Sequence, residues 1–342
     1  MGEPVKVPLV GLNEQNQPLA VGLRDAFERV LDSSQFILGP EVTEFESLAA
    51  ESIGARHAIG TSSGTDALLL SLMTLGIGPG DEVLCPSFTF FATAGAIARI
   101  GAIPVFVDSI VTDFNIDLDD AERRVTDKTK AIIPVHLFGQ AADMNGVQRL
   151  AKAHGLAVLE DAAQSMGATF DGQQVGTMGD LSAFSFFPSK NLGGFGDGGM
   201  ITTDHDDLAK RARILRVHGG APQYYHKAIG GNFRMDPLHA ALLGVKLGHL
   251  PGYLARRRAN AVQYLERLAK FDHVVEGRLV LPTEIESRGH TWNQFTLRVA
   301  NGKRDTLQEL SLIHISAPTR RSAISSAVFC LKKKRGGGGG GG

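Results

Sequence analysis

The chain of 342 residues holds only two cysteines, Cys85 and Cys330, and a single tryptophan. Two thiols cannot build a disulfide framework, so stability must come from an apolar core, and a reducing compartment suits the chain. An excess of one charge is also missing. Thirty-five Lys and Arg stand against 36 Asp and Glu, a net charge of −1, and such a balance calls for neither nucleic acid nor an anionic membrane surface. No uninterrupted apolar run approaches the roughly 20 residues that span a bilayer. The opening Met1-Gly2-Glu3-Pro4-Val5-Lys6 lacks the basic and apolar pattern of a signal peptide. The 11 histidines form no metal-ligand cluster, since the nearest grouping, His218, His226 and His239, fits no common zinc spacing. What is present is an apolar fraction of 43%, enough for about two domains at this length. The expectation is a soluble, cytoplasmic protein.

The last segment departs in composition from the rest. Lys332-Lys333-Lys334-Arg335 runs directly into glycine and continues so to Gly342. A run of A passing into a run of G would be translated in this way, and the stretches 311–320 and 327–332 resemble translated sequencing-adapter sequence. Residues 311–342 are therefore expected to be a non-native tail and are set aside from the functional reading.

Between these ends, strand and helix patterns alternate. Helical spacing covers 18–34 and 41–53. Short strands are expected at 58–60, 82–85, 103–108 and 131–136, with helices at 65–75, 90–100, 118–125 and 144–154. Alternation of this kind predicts parallel βαβ units with helices on both faces of a sheet, an α/β fold. After Asp180 two strands, 181–187 and 199–203, follow one another with only a loop between them. A helix at 206–216, a loop rich in Gly, Tyr and His, and a long helix over 237–268 come next. Strands near 273–275 and 295–299 then open a smaller unit. The expected division is a large α/β domain at 1–240 and a partial small domain at 241–310.

Two residues carry the chemistry. Asp161 ends the apolar strand Ala157-Val158-Leu159-Glu160-Asp161 and is followed by the small Ala162 and Ala163. Lys190 lies just past the strand 181–187, at the head of the glycine-rich run Gly193-Gly194-Phe195-Gly196. In open α/β sheets, ligands bind beyond the carboxyl ends of strands. A lysine and an aspartate delivered there are what a pyridoxal 5'-phosphate enzyme needs: the amine holds the aldehyde, and the carboxylate keeps the pyridine nitrogen protonated. Taken singly, each has a plainer reading, a solvated charge and a turn former. At Thr61-Ser62-Ser63-Gly64-Thr65-Asp66 a strand passes into a helix, where hydroxyls and free N–H groups offer an anion site or merely an N-cap. Gly194, Gly196 and Gly199 match the spacing G-x-G-x-x-G, but a strand follows where a dinucleotide fold needs a helix, so a nicotinamide site is excluded. Phe88, Phe90 and Phe91 are candidates for core packing or for stacking on a flat ring.

Five strings together resemble the DegT/DnrJ/EryC1/StrS family of sugar aminotransferases. They are residues 60–68, 86–94, 160–165, the run into Lys190, and Gly231-Asn232-Phe233-Arg234-Met235. The resemblance, which runs from about residue 8 to 310, implies the aspartate-aminotransferase-like fold of pyridoxal-phosphate transferases, fold type I. It also implies roles. Lys190 is the Schiff-base lysine and proton shuttle, and Asp161 the partner of the pyridine nitrogen. Gln164 meets the ring hydroxyl, and Phe90 is the phenylalanine stacked on the ring. Ser63, Gly64, Thr65 and Ser185 contact the phosphate. Asn232 reaches the phosphate of a neighbouring subunit, which implies a homodimer with its active site at the interface. The implied reaction moves an amino group from an amino acid, with glutamate the expected donor, to a keto sugar carried on a nucleotide. Dehydratases of the family carry histidine where this chain has Lys190, which argues against that alternative. A regulatory relative without catalysis would have no use for a proton shuttle.

Overall fold

The computed structural model describes residues 11–220, 225–300 and 302–305. The expected tail, 311–342, lies outside the described residues. Eleven strands are present among them: β1 His57–Thr61, β2 Glu82–Pro86, β3 Ile103–Val107, β4 Thr129–Ile132, β5 Ala157–Asp161, β6 Thr169–Phe170, β7 Gln173–Gln174, β8 Leu181–Ser185, β9 Gly199–Thr203, β10 Leu279–Val280 and β11 Arg298–Val299. The α-helices begin with α1 Leu12–Asn16, α2 Ala20–Ser33, α3 Pro40–Ile53, α4 Gly64–Leu75, α5 Phe91–Arg99 and α6 Leu118–Arg124. They continue with α7 Met144–His154, α8 Asp206–Leu215, α9 Pro237–Leu247, α10 Leu250–Leu268 and α11 Asp272–Val275.

Seven strands form one sheet in the order β1-β9-β8-β5-β4-β2-β3. The pairs β2–β3, β2–β4, β4–β5 and β5–β8 are parallel, whereas β9 runs antiparallel to both β8 and β1. The reversal follows from the short link between β8 and β9, which has no crossover helix to make them parallel. Successive side chains along a strand enter opposite cores. Leu84, Val158 and Phe184 pack with α3, α7 and α9 on one face, while Val83, Leu159 and Ala183 pack with α4, α5 and α8 on the other. Both faces of the central strands are covered, which is why their middles are apolar on both sides, as in Val83-Leu84 and Val158-Leu159.

Four expectations are corrected. The helix over 237–268 breaks into α9 and α10, because Pro251 has no N–H to give the carbonyl of Leu247 and so opens a new helix. The strand at 131–136 stops at Ile132, since Pro134 cannot donate to the ladder. The strand near 273–275 is instead the helical turn α11, and that at 295–299 shrinks to β11, which pairs with β10.

Candidate active site

The carboxyl ends of β1, β5 and β8 meet the amino end of β9. Asp161 is the last residue of β5 and pairs in register with Ala183 of β8. Its carboxylate is 5% exposed. Thr93, in the first turn of α5, donates its hydroxyl to Oδ2 at 2.8 Å, and the N–H of Ala163 donates to Oδ1 at 3.2 Å. Burial pushes the Asp161 carboxyl above the usual aspartate range, and these two bonds and the positive Lys190 act against that. Lys190 sits on the turn after β8, where its N–H donates to the Phe187 carbonyl at 2.8 Å. Burial draws the ammonium pKa down, and Asp161 acts in the opposite sense. The two groups thus bias each other across one small space.

A second part of the site lies where β1 enters α4. Ser63 caps this helix, its Oγ accepting from the Asp66 N–H at 3.0 Å. Its own hydroxyl hydrogen remains for an anion, beside the unbonded N–H groups of the first turn. Gly64 lies so close to Ser185 that a Cβ there would stand 2.7 Å from the Ser185 Cβ and 3.0 Å from its Oγ. Ser63, Gly64 and Ser185 therefore lie along one edge, with Thr65 exposed next to it. The segment 231–234 runs along the same edge: the Ser62 N–H donates to the Phe233 carbonyl at 3.0 Å, and Thr61 bridges Arg234. Asn232 bridges Val217 and is itself exposed.

Gln164 follows β5 by one turn. Its Oε1 accepts from the Phe138 N–H at 2.9 Å, which assigns the amide so that Nε2 is the donor left for a ligand oxygen. Among the three phenylalanines, Phe88 is buried with Phe114 and Phe138. Phe90 caps α5 and is 54% exposed, and Phe91 is also exposed. The structure so removes Phe88 as a stacking surface.

The DegT/DnrJ/EryC1/StrS aminotransferase family model matches residues 21–316. The chain belongs to this family. It is 48% identical over 304 residues to a pleiotropic regulatory protein of Geobacillus stearothermophilus, covering 89% of this chain and 80% of that one. It is 43% identical over 299 residues to the UDP-N-acetyl-3-dehydro-alpha-D-glucosamine 3-aminotransferase of Acidithiobacillus ferrooxidans, covering 87% and 79%. The crystal structure of S. venezuelae DesV, in complex with a ketimine intermediate, matches with a TM-score of 0.86 at 40% identity, covering 90% of this chain and 82% of that one. The fold is therefore that of the pyridoxal-phosphate-dependent aminotransferases, and the family is a family of enzymes using that cofactor.

The residues present fit the cofactor. A phosphate needs a cradle without side chains at its floor, and Gly64 supplies one. A pyridinium needs a buried carboxylate, and Asp161 is one. A ring oxygen needs a donor, and Gln164 Nε2 is free to act.

Some residues that brace the candidate site carry little signal in the sequence. Thr93 is one such residue. Another is the fully buried pair Glu160 and His136, on the opposite side of β5 from Asp161. Glu160 accepts from Met178 and Gly179 N–H at 2.9 and 2.8 Å, from Gly176 N–H at 3.1 Å and from the Ser182 hydroxyl at 2.8 Å. His136 Nδ1 accepts from the Ala142 N–H at 3.0 Å, so its Nε2 carries the proton toward Glu160 at 3.0 Å. Burial works against the charge on Glu160, yet His136 and the backbone amides hold its pKa below the ordinary carboxylate value. The His136 N–H also donates to the Asp161 carbonyl at 3.1 Å, so this network fixes the backbone that aims Asp161. The adjacent pair Glu160-Asp161 was the available signal, since neighbours in a strand face opposite ways.

Proposed function

We propose that this chain transfers the amino group of an amino acid, with glutamate as donor, to the 3- or 4-keto carbon of a nucleotide-linked sugar. The observation that carries the reading is the juxtaposition of Lys190 and Asp161 at the ends of adjoining parallel strands, beside the Ser63–Gly64–Ser185 cradle. The activity of the A. ferrooxidans relative, a UDP-N-acetyl-3-dehydro-alpha-D-glucosamine 3-aminotransferase, supports a UDP-linked 3-keto sugar.

In this reading Ser63, Gly64, Thr65 and Ser185 hold the cofactor phosphate, by hydroxyls and by N–H groups of the first turn of α4. Phe90 lies against one face of the ring, and Gln164 Nε2 donates to the ring oxygen. Asp161 keeps a proton on the pyridine nitrogen. When bound, pyridoxal phosphate supplies the electron sink for a carbanion at the donor α-carbon. Lys190 would take the proton from that carbon and deliver it to the cofactor carbon that bears the nitrogen, not back to the carbon it left, which requires its neutral amine, and burial favours that form. Asn232 of each protomer contacts the phosphate held in the other, so the working unit is a homodimer in the cytoplasm. The division into a cofactor-binding unit, 1–240, and a smaller unit from 241 belongs to the same proposal. The loop 219–230, of which residues 221–224 lie outside the described residues, helps to select the sugar.

The name of the Geobacillus relative favours a second, regulatory reading. One experiment separates the two. The full chain is mixed with pyridoxal phosphate, glutamate and a UDP-linked 3-keto sugar, and 2-oxoglutarate and amino sugar are quantified. Equimolar formation of both supports the transferase. Cofactor binding without turnover of any 3- or 4-keto nucleotide sugar supports the regulator.

A further inference from the structure

Helix α9 carries a lysine that no part of the reaction above uses. Lys246 is 0% exposed, in a helix whose other buried residues are Pro237, Ala240, Ala241, Leu243 and Leu247. A methionine would fill the same space without burying an ammonium, and a buried charge is costly unless it is bonded. The ammonium does have a partner: it donates to the carbonyl of Gly193. The ring of Phe195 covers it, with the nitrogen 5.1 Å from the ring centroid. Burial brings its pKa down to about 8, so the ammonium form predominates at neutral pH.

Gly193 is three residues beyond Lys190 on the same loop. The rest of that loop is tied by backbone groups and one amide. The Lys190 N–H donates to Phe187 and the Gly194 N–H to Phe186, at 2.8 and 2.7 Å, and the Asn191 side chain donates to the Met166 carbonyl at 2.9 Å. His239 stands seven residues before Lys246, two turns along the same face of α9. Its ring presses against Gly194 and Gly198, where a Cβ on Gly198 would lie 3.0 Å from its Nε2. Helix α9 thus forms the floor of the loop, and Lys246 is its one charged tie to it among the described residues.

We infer that Lys246 is a positioning residue for Lys190: by holding the Gly193 carbonyl it fixes the loop that aims the catalytic amine. The inference rests on the reading of Lys190 given above.

The test uses the full chain, with and without pyridoxal phosphate, and compares Lys246→Met with the parent. Amide hydrogen exchange is followed at Lys190 and Gly194 and, as a control, in β2 and β3. In Lys246→Met the two loop amides are expected to exchange at least about tenfold faster, the effect of losing one hydrogen bond from a charged donor, with the control strands unchanged. The same variant should lose about tenfold in kcat with KM for glutamate within about twofold, because the amine acts in the chemical step. Lys246→Arg, which returns a cationic donor, should recover most of both. Loop exchange and kcat equal to the parent would overturn the inference. So would equal acceleration in the loop and the control strands, which would make Lys246 a support of the whole fold. If Lys246→Met does not fold, Lys246→Gln, which keeps a neutral donor, is read in the same way. Lys190→Ala is a separate arm: retained turnover there would remove the catalytic reading of Lys190 while leaving the exchange result standing.

Discussion

The Phe138 N–H donates to Gln164 Oε1 at 2.9 Å from a backbone with φ of +63° and ψ of 0°. A left-handed conformation costs a bulky residue about 1 kcal/mol or more. Phe138 is held in it by ring contacts with Phe88 and Phe114 at centroid distances of 6.2 and 5.6 Å. The consequence is that the amide oxygen of Gln164 is already engaged, so the amide nitrogen is the group left to donate.

Gln164→Glu keeps an acceptor for Phe138 and removes the donor. Its thermal stability should stay near that of the parent, while affinity for pyridoxal phosphate falls about fivefold, the worth of one hydrogen bond of ~1 kcal/mol. Equilibrium dialysis and a thermal melt measure the two effects. Parental affinity in this variant would mean that Gln164 does not meet the ring.

Lys190→Ala should abolish both transamination and the visible absorbance of the bound cofactor. Asp161→Asn should still bind the cofactor but lose about a hundredfold in rate, or ~3 kcal/mol of transition-state stabilisation, because an amide cannot hold the pyridine proton. Thr93→Val removes only the hydroxyl that steadies Asp161 Oδ2 and should cost about tenfold. A Thr93→Val enzyme at full rate would show that the Ala163 N–H alone suffices to orient the carboxylate.

Much of this arrangement is legible in the sequence, and for a physical reason. Strands buried on both faces must be apolar along their length, so 82–85 and 157–159 stand out, and glycine and charge at their ends mark where a ligand can approach. Lys190 and Asp161 are found in that way. Gln164, Phe90 and Asn232 are not: nothing in their local pattern separates them from a polar turn, a core ring or a loop, and only resemblance assigns them. Lys246 is hidden for the opposite reason, since a lysine in an amphipathic helix reads as its solvated face, and only the packing of α9 under the loop reverses this. The misread turn at 272–275 reflects the strand preference of the β-branched pair Val274-Val275, which over so short a run the surrounding structure overrides.

The shifts of Lys190 and Asp161 make a pH experiment with a definite sign. Burial lowers the Lys190 pKa below its ordinary 10.5, and the Asp161 charge partly restores it. Asp161→Asn removes the restoring charge, so in the cofactor-free protein the Lys190 pKa should fall further. Acylation of Lys190 by a neutral reagent, followed by peptide mass spectrometry across pH, reports the free amine. The midpoint should lie below that of an exposed lysine in the parent and lower again in the variant. A midpoint that rises in Asp161→Asn would separate the two residues electrostatically.

Gly64→Ala tests the cradle. The added Cβ would stand 2.7 Å from the Ser185 Cβ, closer than packed carbons allow, so Ser185 or the first turn of α4 must move. A phosphate held by both elements should be weakened at least about tenfold, through displaced charge-assisted hydrogen bonds. Gly78→Ala is the control, because a Cβ there meets nothing within 4 Å. The decisive comparison is between pyridoxal phosphate and pyridoxal, which lacks the phosphate. If the cradle binds phosphate, Gly64→Ala lowers affinity for the first much more than for the second, and Gly78→Ala changes neither. Equal losses for both ligands would place the damage at the ring and leave the junction of β1 and α4 as a helix cap alone.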